Sequence, residues 1–147
     1  MMKRIFILMF ASALFLFAKS EFSEPHPTFD EPRKVAIQLY DSDLEKVNHN
    51  LSTIYNILKE YPAESLKVVV IAYGNGVRAL KTDYDAATLK RIKSLVEYDV
   101  EFIVCKNTME TMKWTEDDFI DDASFVQAGI VELIERQVDG YIGVIAY

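Results

Sequence analysis

The sequence predicts an α/β fold in which a mostly parallel five-stranded sheet lies between helical layers. Three observations carry this. From residue 34 onward strand-like and helix-like segments alternate, β-α-β-α-β-α-β-α-β, the order that builds a parallel sheet. The run Val68–Ala72 (VVVIA) is apolar without interruption, as suits a strand covered on both faces. Helical segments open on capping residues and repeat apolar side chains every three or four residues.

Val35–Tyr40 is the first strand-like run. Ser42 and Glu45 have the spacing of a capping box, and Leu44, Val47, Leu51, Ile54 and Leu58 form the buried stripe of a helix over 43–60. Pro62 stops it. The second strand is Lys67–Tyr73, broken by Gly74-Asn75-Gly76. Thr82 or Asp85 caps the next helix, whose core stripe is Leu89, Ile92, Leu95 and Val96. A third strand, Val100–Cys105, precedes Asn107 and Thr108, which can cap a short helix beginning near Met109. Thr115 before Glu116, Asp117 and Asp118 reads as another capped, acid-started helix. Phe125-Val126 reads as a very short strand. Val131, Leu133, Ile134 and Val138 lie on a helix over 128–138, and Tyr141–Ala146 is the last strand.

The amino-terminal residues read as an address. Lys3 and Arg4 precede an apolar stretch, Ile5–Ala18, broken only by Ser12. Ala18 and Ser20 supply the small residues of a cleavage site after Ser20. An uncleaved anchor is the alternative, but the stretch is shorter than the ~20 residues of a spanning helix. Residues 1–20 are therefore expected to be a signal peptide, which places the protein in the periplasm or outside the cell, with no stable membrane insertion after cleavage. Residues 21–33 hold three of the four prolines and form a flexible or extended linker. The domain proper is 34–147.

The 147-residue chain has a net charge of −7. Loss of residues 1–20 removes Lys3, Arg4 and Lys19 but no acid, leaving 13 basic against 23 acidic residues, a net −10. That balance argues against nucleic acid as a partner, which needs a basic footprint. One cysteine and two histidines exclude a disulfide framework and an all-cysteine metal site. The acids at 116–122 lack the glycine-centred spacing of a calcium loop, so no metal is expected. There is no Gly-x-Ser-x-Gly elbow.

Chemistry in a parallel sheet collects beyond the carboxyl ends of the strands, which singles out two features. Cys105 ends a strand and precedes a helix start, where backbone N–H groups and Lys106 would favour the thiolate; Lys106, Asn107 and Thr108 are its supporting residues. The alternative is a small buried side chain closing the strand. The second feature, Tyr73 with Gly74, Asn75 and Gly76, could place N–H groups around an anion, or be simply a tight turn. The full dinucleotide fingerprint fails at Ala79, where a third glycine is expected.

Three segments together resemble the DsrE/DsrF-like sulfur-relay family: VVVIAYGNGVRAL (68–80), VEFIVCKNTM (100–109) and AGIVELIERQVDGYIGVI (128–145). The family's pattern is a strand ending in Gly-x-Gly, a strand ending in Cys-x-Asn-Thr-hydrophobe, and a late Gly–Glu–Gln–Gly-Tyr set, here Gly129, Glu132, Gln137, Gly140 and Tyr141. The resemblance implies a three-layer α/β/α sandwich with a parallel five-stranded core. It implies that Cys105 accepts sulfane sulfur as a persulfide and passes it on without metal or organic cofactor. The partners implied are sulfur donor and acceptor proteins or small sulfur species, and a second copy of the chain in a homo-oligomer. Two departures stand out. Tyr73 occupies a position that is often His in relatives, and the well-known relays are cytoplasmic whereas this chain carries an export signal. The expected function is thus an extracytoplasmic sulfur carrier or sulfurtransferase-like protein; the alternative is a non-catalytic ligand-binding or interaction module of the same fold.

Overall fold

A computed structural model describes residues 20–146. The predicted signal peptide up to Lys19 lies outside the described residues, as does Tyr147. Residues 20–32 carry no helix or strand and are tied to the body: Ser20 Oγ donates to Glu60 (2.7 Å), Phe22 stacks on Tyr61 (centroids 4.7 Å apart), and Arg33 donates back to the carbonyls of Ser23 and Pro25.

The elements that follow are β1 (Arg33–Leu39), α1 (Leu44–Glu60), β2 (Leu66–Ala72), a 3-10 helix (Gly74–Leu80) and α2 (Ala86–Val96). Then come β3 (Glu101–Cys105), α3 (Lys106–Met112), one 3-10 turn (Glu116–Asp118), β4 (Ala123–Val126), α4 (Gly129–Val138) and β5 (Ile142–Ile145). The five strands pair in the order β4-β3-β2-β1-β5, every pair parallel. The architecture is the expected α/β sandwich.

Strand order explains the layers. From β1 to β4 the chain steps one strand at a time in one direction, so right-handed crossovers put α1 and α2 on one face. The return from β4 to β5 runs the opposite way across the whole sheet, so α4 is placed on the other face, where it packs on β1, β2, β3 and β5. Side chains alternate accordingly. Val35, Ile37, Leu39, Val68, Val70, Phe102 and Val104 join the α1–α2 core, while Ala36, Val69, Ile71 and Ile103 meet Leu133 of α4. Burial on both faces is why VVVIA needs no polar residue.

Several expectations are corrected at element boundaries. The cap of α1 is Asp43, not Ser42: the Asp43 carboxylate accepts from the N–H of Lys46. Asp85, rather than Thr82, caps α2, accepting from Thr88 (2.8 Å). α3 begins at once after Cys105, so Asn107 and Thr108 lie in its first turn and not at its cap. The acidic run at 116–118 makes only one turn, because Phe119 must turn extended into the core (2% exposed) and pair with Lys81. Gly74-Asn75-Gly76 opens a 3-10 helix. Its Gly76 has a steric reason to be glycine, since a Cβ there would stand 2.0 Å from the Leu39 carbonyl oxygen.

The largest departure is α4. Of its four predicted stripe residues only Leu133 is buried, while Val131, Ile134 and Val138 are half exposed or more. With Ile130 they make an exposed apolar face on α4, and on β5 Ile142 and Ile145 are exposed on opposite sides of the sheet.

Candidate functional site

Cys105 lies where the connections part to opposite faces of the sheet. The chain leaves β3 toward α3 on the α1–α2 side and leaves β4 toward α4 on the other. In open parallel sheets the crevice at such a point is the preferred ligand site. The local geometry follows from the neighbouring carboxyl ends: Cys105 pairs in register with Val126, so Gln127 and the start of α4 stand beside it.

The thiol is buried (6% exposed), and burial pushes its pKa up. The backbone N–H of Gly129, the N–H and hydroxyl of Thr108, and the N–H of Asn107 push it down further, so the net displacement from the ordinary value of 9.0 is downward. Of these donors, the Asn107 N–H is partly committed elsewhere, donating to the Gln127 carbonyl (3.0 Å). As a thiol, Sγ faces that same carbonyl at 3.8 Å. Gln127 is fixed in turn by Nε2 donating to Asn107 Oδ1 (2.6 Å) and Glu110 (3.1 Å).

Lys106 is not part of this cluster. Its Nζ pairs with Glu116 (2.6 Å) and lies over the Phe125 ring, so the thiolate is supported by backbone and hydroxyl dipoles and not by the neighbouring ammonium. Thr108 joins the two predicted features, because its hydroxyl accepts from the Gly74 N–H (3.1 Å). The Tyr73–Gly76 segment does not form an anion nest: Gly74 N–H serves Thr108, and Gly76 N–H bonds the Tyr73 carbonyl. Tyr73 donates its hydroxyl to Gln38 (2.6 Å), and burial raises its pKa, so it stays a neutral phenol.

Two residues of the site were not among the predicted set. Gly129 and Gln127 contribute through backbone groups of a distant strand end, which side-chain chemistry does not reveal. For Gly129 two signals were available, its place in the late Gly–Glu–Gln–Gly-Tyr set and a glycine opening a helix right after a short strand. Asn75 lies with Arg78, Asn107, Thr108 and Trp114 around a groove of about 470 Å³. A larger cleft of about 600 Å³, lined by Tyr55, Tyr61 and Tyr98, lies at the opposite end of the sheet where β2 begins, away from the thiol. Among the described residues no group of three or more His, Cys, Asp or Glu is placed to hold a metal ion, and no helix is long and apolar enough to cross a membrane.

The comparisons with known proteins agree with this architecture. A family model described as DsrE/DsrF-like matches residues 34–144. The chain is similar to the protein of unknown function MTH1491 from Methanobacterium thermoautotrophicum, with TM-score 0.71 and 24% identity over 77% of this chain and 98% of that one. It is also similar to the ychN protein from E. coli, with TM-score 0.63 and 15% identity over 78% of this chain and 99% of that one. At these identities the two structures speak for the fold alone. No curated protein matches the chain.

Proposed function

The chain belongs to the DsrE/DsrF-like family, and from that premise we propose that it is a sulfur carrier holding sulfane sulfur as a persulfide on Cys105. The observation that supports this most is the set of donors aimed at the Cys105 sulfur, which outweighs burial and lowers the thiol pKa. A thiolate attacks a sulfane sulfur, the donor's own bond to that sulfur breaks and its electron pair leaves with the rest of the donor, and the persulfide formed is again an anion that the same N–H groups can hold. The chain has one cysteine. No second thiol can discharge the persulfide within it, so the sulfur passes to another molecule or another copy.

The packing role for Cys105 has its low exposure in favour. A merely packed thiol, however, has no use for donors that favour its charged form, and burial alone would raise its pKa. The amino-terminal pattern Lys3-Arg4, Ile5–Ala18 and Ser20 supports action outside the cytoplasm. A second copy of the chain is proposed to cover the exposed apolar face of α4. Exposed apolar patches of this kind mark contacts. On α4 the charges of Glu132, Arg136 and Asp139 are paired, Arg136 also with Glu101 and Asp139 with Lys34, so the helix carries little uncompensated charge besides Glu135.

The test is intact-mass spectrometry after exposure to polysulfide. The wild type should gain the mass of one sulfur atom or a multiple, removable by dithiothreitol, and Cys105→Ser should gain nothing. Equal loading of both, or no loading of the wild type, overturns the proposal.

A further inference from the structure

The groove beside the thiol has a composition at odds with the rest of the surface. In a chain rich in acids, no acidic side chain lines it, and its one charged residue is Arg78. The other described arginines are occupied: Arg33 with two carbonyls, Arg91 with Asn48 and Ser52, Arg136 with Glu101 and Glu132. Among the described residues the Arg78 guanidinium has no hydrogen bond or ion pair; it stands 5.0 Å from the centroid of the Trp114 ring. Stacking of that kind restrains the side chain without using its donors. Asn107 and Thr108 lie both in the groove and against the Cys105 sulfur, so these two residues join the groove to the reacting atom.

We propose that Arg78 selects the sulfur donor, and that the groove takes small anions whose sulfane sulfur is bonded to a sulfonyl centre, thiosulfate and the thiosulfonates. This rests on the persulfide reading of Cys105. The planar guanidinium fork matches two sulfonyl oxygens, and Trp114 with Met112 gives an apolar wall for an organic substituent. The Cys105 thiolate attacks the terminal sulfane sulfur, forming the new S–S bond. The bond between sulfane and sulfonyl sulfur breaks, and its electron pair leaves with sulfite or the sulfinate. Cys105 is left as an anionic persulfide, the total charge is unchanged, and no further oxidant or reductant takes part. Charge grows on the leaving oxyanion as that bond breaks, so a cation beside it stabilises the transition state more than the bound donor.

The experiment follows loading of the protein by benzenethiosulfonate, by intact mass, for wild type, Arg78→Gln and Arg78→Lys. Alkylation by neutral iodoacetamide reports the thiolate itself. Loading of Arg78→Gln should be at least ~10-fold slower with alkylation unchanged, and Arg78→Lys should fall between the two, since it keeps the charge but loses the fork. Equal loading of wild type and Arg78→Gln overturns the inference while leaving the persulfide reading in place. So does a wild type that loads from polysulfide but not from benzenethiosulfonate. A wild type that loads from neither reagent ends both.

Discussion

A Cβ placed on Gly129 would stand 3.2 Å from the Cβ of Cys105, and equally 3.2 Å from that of Tyr73. The first residue of α4 is therefore glycine because three strand ends converge there, and that closeness lets its N–H reach the sulfur. Gly129→Ala should push α4 outward by a few tenths of an ångström, costing about 1–2 kcal/mol of stability as an overpacked site. The same shift lengthens the N–H contact and raises the thiol pKa. Chemical denaturation and the iodoacetamide rate at pH 7 read the two effects separately, and both should fall together.

The lowered pKa of Cys105 has a stability signature. The folded state gives up the thiol proton at a lower pH than the unfolded chain, whose thiol titrates near the ordinary 9.0. Above the unfolded value the contribution to stability is complete, and it is lost as pH falls through the folded pKa. The stability of wild type minus that of Cys105→Ser should thus rise with pH across that window and be flat on either side. Urea titrations of both proteins from pH 5 to 10 measure it; a difference independent of pH would mean that the donors do not act on the sulfur.

Thr108 should act through its hydroxyl. Thr108→Val keeps the shape but removes a donor to the thiolate and the acceptor of the Gly74 N–H. With Gly74 exposed, water can take over the second role, so stability should change by less than ~1 kcal/mol. The thiol pKa should rise, leaving less thiolate and a slower alkylation at pH 7. Thr108→Ser should restore the alkylation rate.

The exposed apolar face of α4 makes a separate prediction. Val138 is 78% exposed and Ile134 52%, so charging them should not disturb the core. Light scattering of residues 21–147 should give more than one copy for the wild type and a monomer for Ile134→Asp/Val138→Asp, with unchanged circular dichroism. A wild-type monomer at high micromolar concentration would count against this face as a contact between copies.

How far the sequence could be read depended on how local the cause was. The strands 68–72 and 100–105 were legible because burial on both faces leaves no freedom for polar residues. Helix starts were misplaced by a residue or more where two capping residues stand together, as at Ser42 and Asp43, because the choice is made by the angle at which the chain enters the helix. Thr115–Asp118 carries a sound start signal that the following residue overrules, since Phe119 is needed in the core. Cys105, Asn107 and Thr108 could be grouped from the sequence because they are adjacent in it, whereas Gly129 and Gln127 arrive through the pairing of β3 with β4. Lys106 was misjudged for the same reason: its partner, Glu116, lies beyond the end of α3. The stripe on α4 was read correctly as apolar and incorrectly as buried, because periodicity reports a face without naming what covers it.

The return crossover also sets a timetable. Val35 in the first strand pairs with Ile142 in the last, so the sheet can close at that edge only after nearly all of the chain is available. Gly129 belongs to the same late segment, and until α4 docks Cys105 lacks one of the donors that favour its charged form. A nascent or carboxyl-terminally clipped chain thus holds a Cys105 whose thiol is less readily ionised, and the sulfur gains its full set of donors only when the fold is complete.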